Sequence, residues 1–126
     1  MKTIKRILVP TDFSACAEAA SSTALEMARS IGASVTYMHI VEDTGPLHIL
    51  VHKTAKNGNH DERIGHLRAQ LNAWVASAAR EGVDAFPLLI MERTRSKIEE
   101  FVTKGKYDLI VMGSHGCTGI REWVLG

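Results

Sequence analysis

The sequence predicts a single α/β domain over residues 1–126, with a doubly wound parallel sheet. Two observations carry this. Short apolar runs recur around residues 7–9, 34–41, 85–91 and 108–112, and the second of them is rich in β-branched residues. The three stretches between them carry apolar residues at helical spacing, and each closes on a glycine: Gly32, Gly82 and Gly105. Strands alternating with helices need crossover connections, which are right-handed and cover both faces of a parallel sheet.

Ile7-Leu8-Val9 forms the first strand, and Pro10-Thr11-Asp12-Phe13-Ser14 the turn after it. Positions 17, 20, 24, 27, 28 and 31 then fall on one helical face, with Ser14 a suitable N-cap and Gly32 a suitable stop. Ser34 to Val41 is the second strand. From Glu42 to about Glu62 the chain is polar and interrupted by Gly45, Pro46 and Gly58, which predicts a loop with one helical turn at the apolar island Leu47 to Val51. Ile64, Leu67, Leu71, Trp74, Val75 and Ala78 define a second helix, and Ala85 to Met91 the third strand. A third helix, roughly Arg95 to Lys104, buries Ile98, Phe101 and Val102, and Asp108 to Met112 is the fourth strand.

Composition narrows the function classes. A formal charge of +1, with both signs scattered, argues against a nucleic-acid or membrane-surface patch. No apolar run approaches the roughly 20 residues of a membrane helix, and MKTIKRILVP lacks the long apolar stretch of a secretory signal, so a cytoplasmic protein is expected. Cys16 and Cys117 match no zinc spacing and read as free thiols. His48, His52, His60 and His66 cluster without a cysteine or carboxylate at fixed spacing, the pattern of a solvated loop rather than a metal site. No metal-binding residue is assigned.

In a doubly wound sheet, ligands sit beyond the carboxyl ends of the strands where the strand order reverses. That directs attention to PTDFS after the first strand and GSHGCTG after the fourth. Glycines between a parallel strand and a helix permit a tight turn and let backbone N–H groups approach an anion at the positive end of the helix. On chemistry alone, this loop is either a phosphate site or a turn packed on the sheet. The spacing fits neither the dinucleotide-binding glycine pattern nor the P-loop. Asp12 is likewise either a ligand contact or a helper of Ser14 in capping the first helix.

Three stretches carry a resemblance. ILVPTDFS, VTYMHIVED and YDLIVMGSHGCTG look like the most recognisable segments of the universal stress protein family, and together they sample nearly the whole chain. Nucleotide-binding members carry a Gly, two residues, a Gly, nine residues, a Gly and then Ser or Thr; Gly113, Gly116 and Gly126 match, and the chain stops before the hydroxyl residue. The resemblance implies a Rossmann-like, adenine nucleotide alpha hydrolase-like fold with strand order 3-2-1-4. It also implies ATP as ligand, with Mg or Mn. Asp12 would meet the ribose or a metal on the phosphates, and the main chain at Ile40 would meet adenine. Gly113, Ser114, Gly116 and Gly119 would hold phosphate through backbone N–H groups. Pro10, Thr11, Met112, His115 and Gly126 complete the expected binding set. Where many members have Gly-x-Pro after the third strand, this chain has the bulkier, more charged Met91-Glu92-Arg93-Thr94-Arg95.

Thr118 to Leu125 reads as a helix interrupted before it returns to the sheet. The domain is therefore expected to be incomplete at its C-terminus, with the family's fifth strand missing and the fourth strand open to self-association. Trp74 and Trp123 read as packing residues, and His115 as an exposed turn residue or a weak candidate base. No Ser/His/Asp triad or carboxylate pair stands out, so no catalytic residue is assigned and hydrolysis is expected to be slow at most. Two function classes follow: a nucleotide-binding regulatory protein of the stress response, forming a homodimer, or a dimeric interaction module of the same fold that binds no nucleotide.

Overall fold

The computed structural model describes residues 3–41, 59–91 and 98–113. Its elements are β1 (Arg6–Pro10), α1 (Ala15–Ile31), β2 (Ser34–Val41), α2 (Asn59–Arg80), β3 (Ala85–Met91), α3 (Ile98–Lys104) and β4 (Leu109–Ile110). The four strands form one parallel sheet in the order β3-β2-β1-β4. Arg6 to Pro10 pair with Ser34 to Met38, Val35 to Val41 pair with Ala85 to Met91, and Ile7 and Leu8 pair with Leu109 and Ile110.

Alternation along the strands separates two cores. Ile7, Val9, Val35 and Tyr37 face Ala24, Leu25 and Ala28 of α1 and Leu71 and Ala78 of α2. Leu8, Met38 and Ile90 point to the opposite face, where Val102 of α3 and Tyr107 pack. The alanines of α1 allow it to lie close on the sheet. Ser14 caps α1 by accepting a hydrogen bond from the Ala17 N–H at 3.2 Å. Gly32 ends it in the left-handed conformation, φ 73°, with the N–H groups of Gly32 and Ala33 both donating to the Ala28 carbonyl.

Several boundaries differ from the sequence-based expectation. The α1 stripe is rotated slightly: Ser21 and Leu25 are buried, whereas Ile31 is 47% exposed. Helix α2 begins at Asn59, within the expected loop, because apolar periodicity marks only the part of a helix that packs. Helix α3 is described from Ile98, and the expected start at Arg95 lies outside the described residues. Its left-handed residue is Lys106, φ 54°, rather than Gly105. The Gly105 carbonyl accepts a hydrogen bond from the Arg6 guanidinium, which also lies 4.8 Å from the centre of the Tyr107 ring.

Strand β4 is short, but its start is held firmly. The Asp108 carboxylate accepts hydrogen bonds from the backbone N–H groups of Lys5 and Arg6 at 2.9 and 3.1 Å, and the Asp108 N–H donates to the Arg6 carbonyl at 2.9 Å. Beyond β4, the Val111 N–H donates to the Leu8 carbonyl at 3.0 Å. At the other side of the sheet, β3 carries Pro87, which has no N–H to offer, and Phe86, which is 52% exposed. Among the described residues, no helix is long and apolar enough to cross a membrane.

Candidate functional site

The direction of travel across the sheet reverses at β1: the chain goes from β1 outward to β2 and β3, then returns to β4 on the other side of β1. The segments after β1 and β4 therefore leave the sheet side by side at its carboxyl end. The turn after β1 is built from local hydrogen bonds. The Thr11 N–H donates to the Met38 carbonyl at 2.8 Å, and Thr11 Oγ1 accepts from the Phe13 N–H at 2.9 Å. Asp12 Oδ1 accepts from the Ser14 N–H at 3.0 Å, one residue before the helix begins.

Asp12 thus does assist the start of α1. It is half-buried, and its Oδ2 has no hydrogen-bond partner among the described residues. A carboxylate with one oxygen committed to the backbone and the other open can accept from a hydroxyl or ligate a cation. Pro10 and Thr11 are buried behind it. Ile40 is half-buried near the end of β2, in register with Ile90. Met112 and Gly113 follow β4 at the same end of the sheet as Asp12 and are half-buried. Ser114, His115, Gly116, Gly119 and Gly126 lie outside the described residues, as do Trp123, Cys117, His48 and His52.

Two residues at this end were not singled out from the sequence. Phe13 adopts φ 63°, a left-handed conformation that few non-glycine residues take. Its ring lies 4.8 Å from that of His39 and 5.7 Å, edge-on, from that of Trp74. His39 Nδ1 lies 2.7 Å from the Thr11 carbonyl oxygen. The signal for His39 was present in the alternation of β2, since 35, 37 and 39 share a face and a histidine there is turned inward. No comparable signal marks Phe13. Trp74 is half-buried, as expected of a packing residue, and also meets Tyr37 edge-on at 5.3 Å. Cys16 is a half-buried free thiol on α1, and His66 on α2 is exposed.

A parallel sheet whose order reverses at β1 defines a doubly wound α/β domain, a topology in which the β1/β4 junction is the place to look for a ligand. Residues 3–126 match the model of the universal stress protein family, and the chain belongs to that family. It is 26% identical over 130 residues to universal stress protein MJ0531 of Methanocaldococcus jannaschii, an alignment covering 97% of this chain and 71% of that protein. A solved universal stress protein from Burkholderia pseudomallei superposes with a TM-score of 0.68 at 29% identity, covering 91% of this chain and 85% of that one. The universal stress protein of Archaeoglobus fulgidus in complex with dAMP superposes with a TM-score of 0.62 at 22% identity, covering 88% and 82%, a likeness of fold.

Proposed function

We propose that the chain is a regulatory protein of the stress response that binds ATP, with Mg or Mn, at the switch point between β1 and β4. The observation that carries this is Asp12: a half-buried carboxylate at the carboxyl end of β1, whose Oδ2 has no partner among the described residues, on the same end of the sheet as Met112 and Gly113. The dAMP complex of the archaeal relative supports an adenine nucleotide in this fold. Asp12 would take the ribose or the cation, the main chain at Ile40 the adenine, and the loop from Gly113 through Gly119 the phosphates. Bound cation would neutralise phosphate charge. With no residue assigned to activate water, turnover is slow at most.

The test is thermal melting of the full chain with ATP and Mg or Mn. A ligand that binds only the folded state adds about 2.7 kcal/mol at a hundred times its dissociation constant. An unchanged melting temperature at millimolar ATP refutes the assignment.

A second reading, a dimeric interaction module without nucleotide, is favoured by the exposed Phe86 on the outer strand β3. Light scattering with Phe86→Ser separates the two, because loss of self-association with the ATP response intact assigns the edge to assembly and the crevice to nucleotide.

A further inference from the structure

On the face of the sheet covered by α1 and α2, a cavity of about 280 Å³ opens between these two helices. Its floor contains Tyr37 and Ser21, 1% and 8% exposed, whose hydroxyl oxygens lie 2.7 Å apart. Two hydroxyls bring two hydrogens, and one bond between them uses one. Whichever group donates, the other keeps an O–H hydrogen that has no acceptor among the described residues. Burial and the nearby Glu81 charge hold the Tyr37 phenol above its usual pKa against the opposing effect of the Ser21 hydrogen bond, so it remains protonated. A donor left over in a buried place calls for an acceptor.

The remaining lining determines which acceptor fits. Trp74 contributes an aromatic side chain, Glu18 and Glu81 contribute carboxylates, and among the described residues no lysine, arginine or histidine lines the cavity. Glu81 lies 3.6 Å from Arg29 at the surface, whereas Glu18 has no ion-pair partner among the described residues. An anionic guest would meet two negative charges. A cationic guest would meet those charges and an aromatic ring, the combination that recognises organic ammonium groups.

We propose that this groove binds a small organic cation bearing a hydroxyl group, its ammonium between Glu18, Glu81 and Trp74 and its hydroxyl oxygen accepting the leftover hydrogen of the Tyr37–Ser21 pair. Among the described residues the groove shares no lining residue with the proposed nucleotide site, and the proposal does not depend on that site.

Choline is the probe, read by the emission of Trp74 in the full chain carrying Trp123→Phe, with saturation-transfer NMR on the choline methyl groups as a second readout. The expected result is saturable binding. Glu18→Gln weakens it roughly tenfold and weakens tetramethylammonium equally. Single variants at Tyr37 or Ser21 each leave one hydroxyl hydrogen available, so only the double variant Tyr37→Phe with Ser21→Ala removes the donor. That pair is expected to weaken choline roughly fivefold while leaving tetramethylammonium unchanged. Absence of saturable binding overturns the proposal, as does a Glu18→Gln protein or a double variant that binds choline like the parent. Equal binding of dimethylbutanol, the uncharged carbon analogue of choline, also overturns it in favour of a neutral hydroxyl compound.

Discussion

His39 Nδ1 lies 2.7 Å from the carbonyl oxygen of Thr11, joining the end of β2 to the turn that follows β1. A carbonyl can only accept, so Nδ1 carries the hydrogen, and the imidazole is held in one tautomer against the Phe13 ring. His39→Ala is expected to cost about 1–3 kcal/mol, from the lost hydrogen bond, the unsatisfied half-buried carbonyl and the ring contact. Urea unfolding measures the cost. A loss under a few tenths of a kcal/mol would show that the turn holds itself.

At Phe13, the usual order of alanine over glycine is expected to vanish or reverse. Both Phe13→Ala and Phe13→Gly lose the contacts to His39 and Trp74, but only glycine takes φ 63° without strain. Phe13→Gly should therefore be more stable than Phe13→Ala by about 1 kcal/mol. A more stable alanine variant would mean that the turn has relaxed to a negative φ.

Ser14→Ala removes the acceptor for the Ala17 N–H at the start of α1. The expected cost is about 1 kcal/mol. Thermal melting should show it, and Ser14→Asp should restore most of the loss, because its carboxylate also accepts from the first turn of the helix.

Tyr37 gives the stability a dependence on alkaline pH. Desolvation by burial raises its pKa above the usual 10.0. Below that value the phenol is neutral in both folded and unfolded chains, and its contribution is fully present. As pH rises past 10.0 the unfolded chain ionises first, so stability falls until the pH passes the higher folded value. Tyr37→Phe, followed by chemical unfolding from neutral pH upward, should flatten this decline. An unchanged slope would assign it to other groups.

Asp12→Asn separates the two roles of that side chain. The amide oxygen can still accept from the Ser14 N–H, so the fold should lose little. The charge that would meet ribose hydroxyls or a cation is gone, and stabilisation by ATP with Mg should fall by about 1–3 kcal/mol at fixed ligand concentration. An Asp12→Asn protein that responds to ATP like the parent removes Asp12 from the proposed site.

The parts legible in the sequence were those set by local chemistry. Ser14, Gly32 and the apolar runs at 34–41 and 85–91 delimit α1, β2 and β3, because a cap, a left-handed stop and an extended run each act over a few residues. The place of Lys106 in the left-handed conformation was not legible, since it accompanies a hydrogen bond from Arg6 to the Gly105 carbonyl across the sheet. The Tyr37–Ser21 pair was hidden for a similar reason: a helix stripe read from apolar residues omits a serine that is buried because a phenol meets it. Asp12 stood out in the sequence, and the structure shows the one of its two expected roles that belongs to the start of α1. The glycine loop from Ser114 onward lies outside the described residues.

The hydrogen bonds from the Lys5 and Arg6 N–H groups to Asp108 join positions 103 and 102 apart along the chain. They impose an order on folding during synthesis. At about 5–20 residues per second, β1 emerges several seconds before Asp108 exists. Until then only β2 can flank β1, and its other edge stays open. The three strands made first can assemble through neighbouring connections, whereas closing that edge waits for the longest loop in the described structure. A chaperone that shields one apolar strand edge would have its longest window of action on β1.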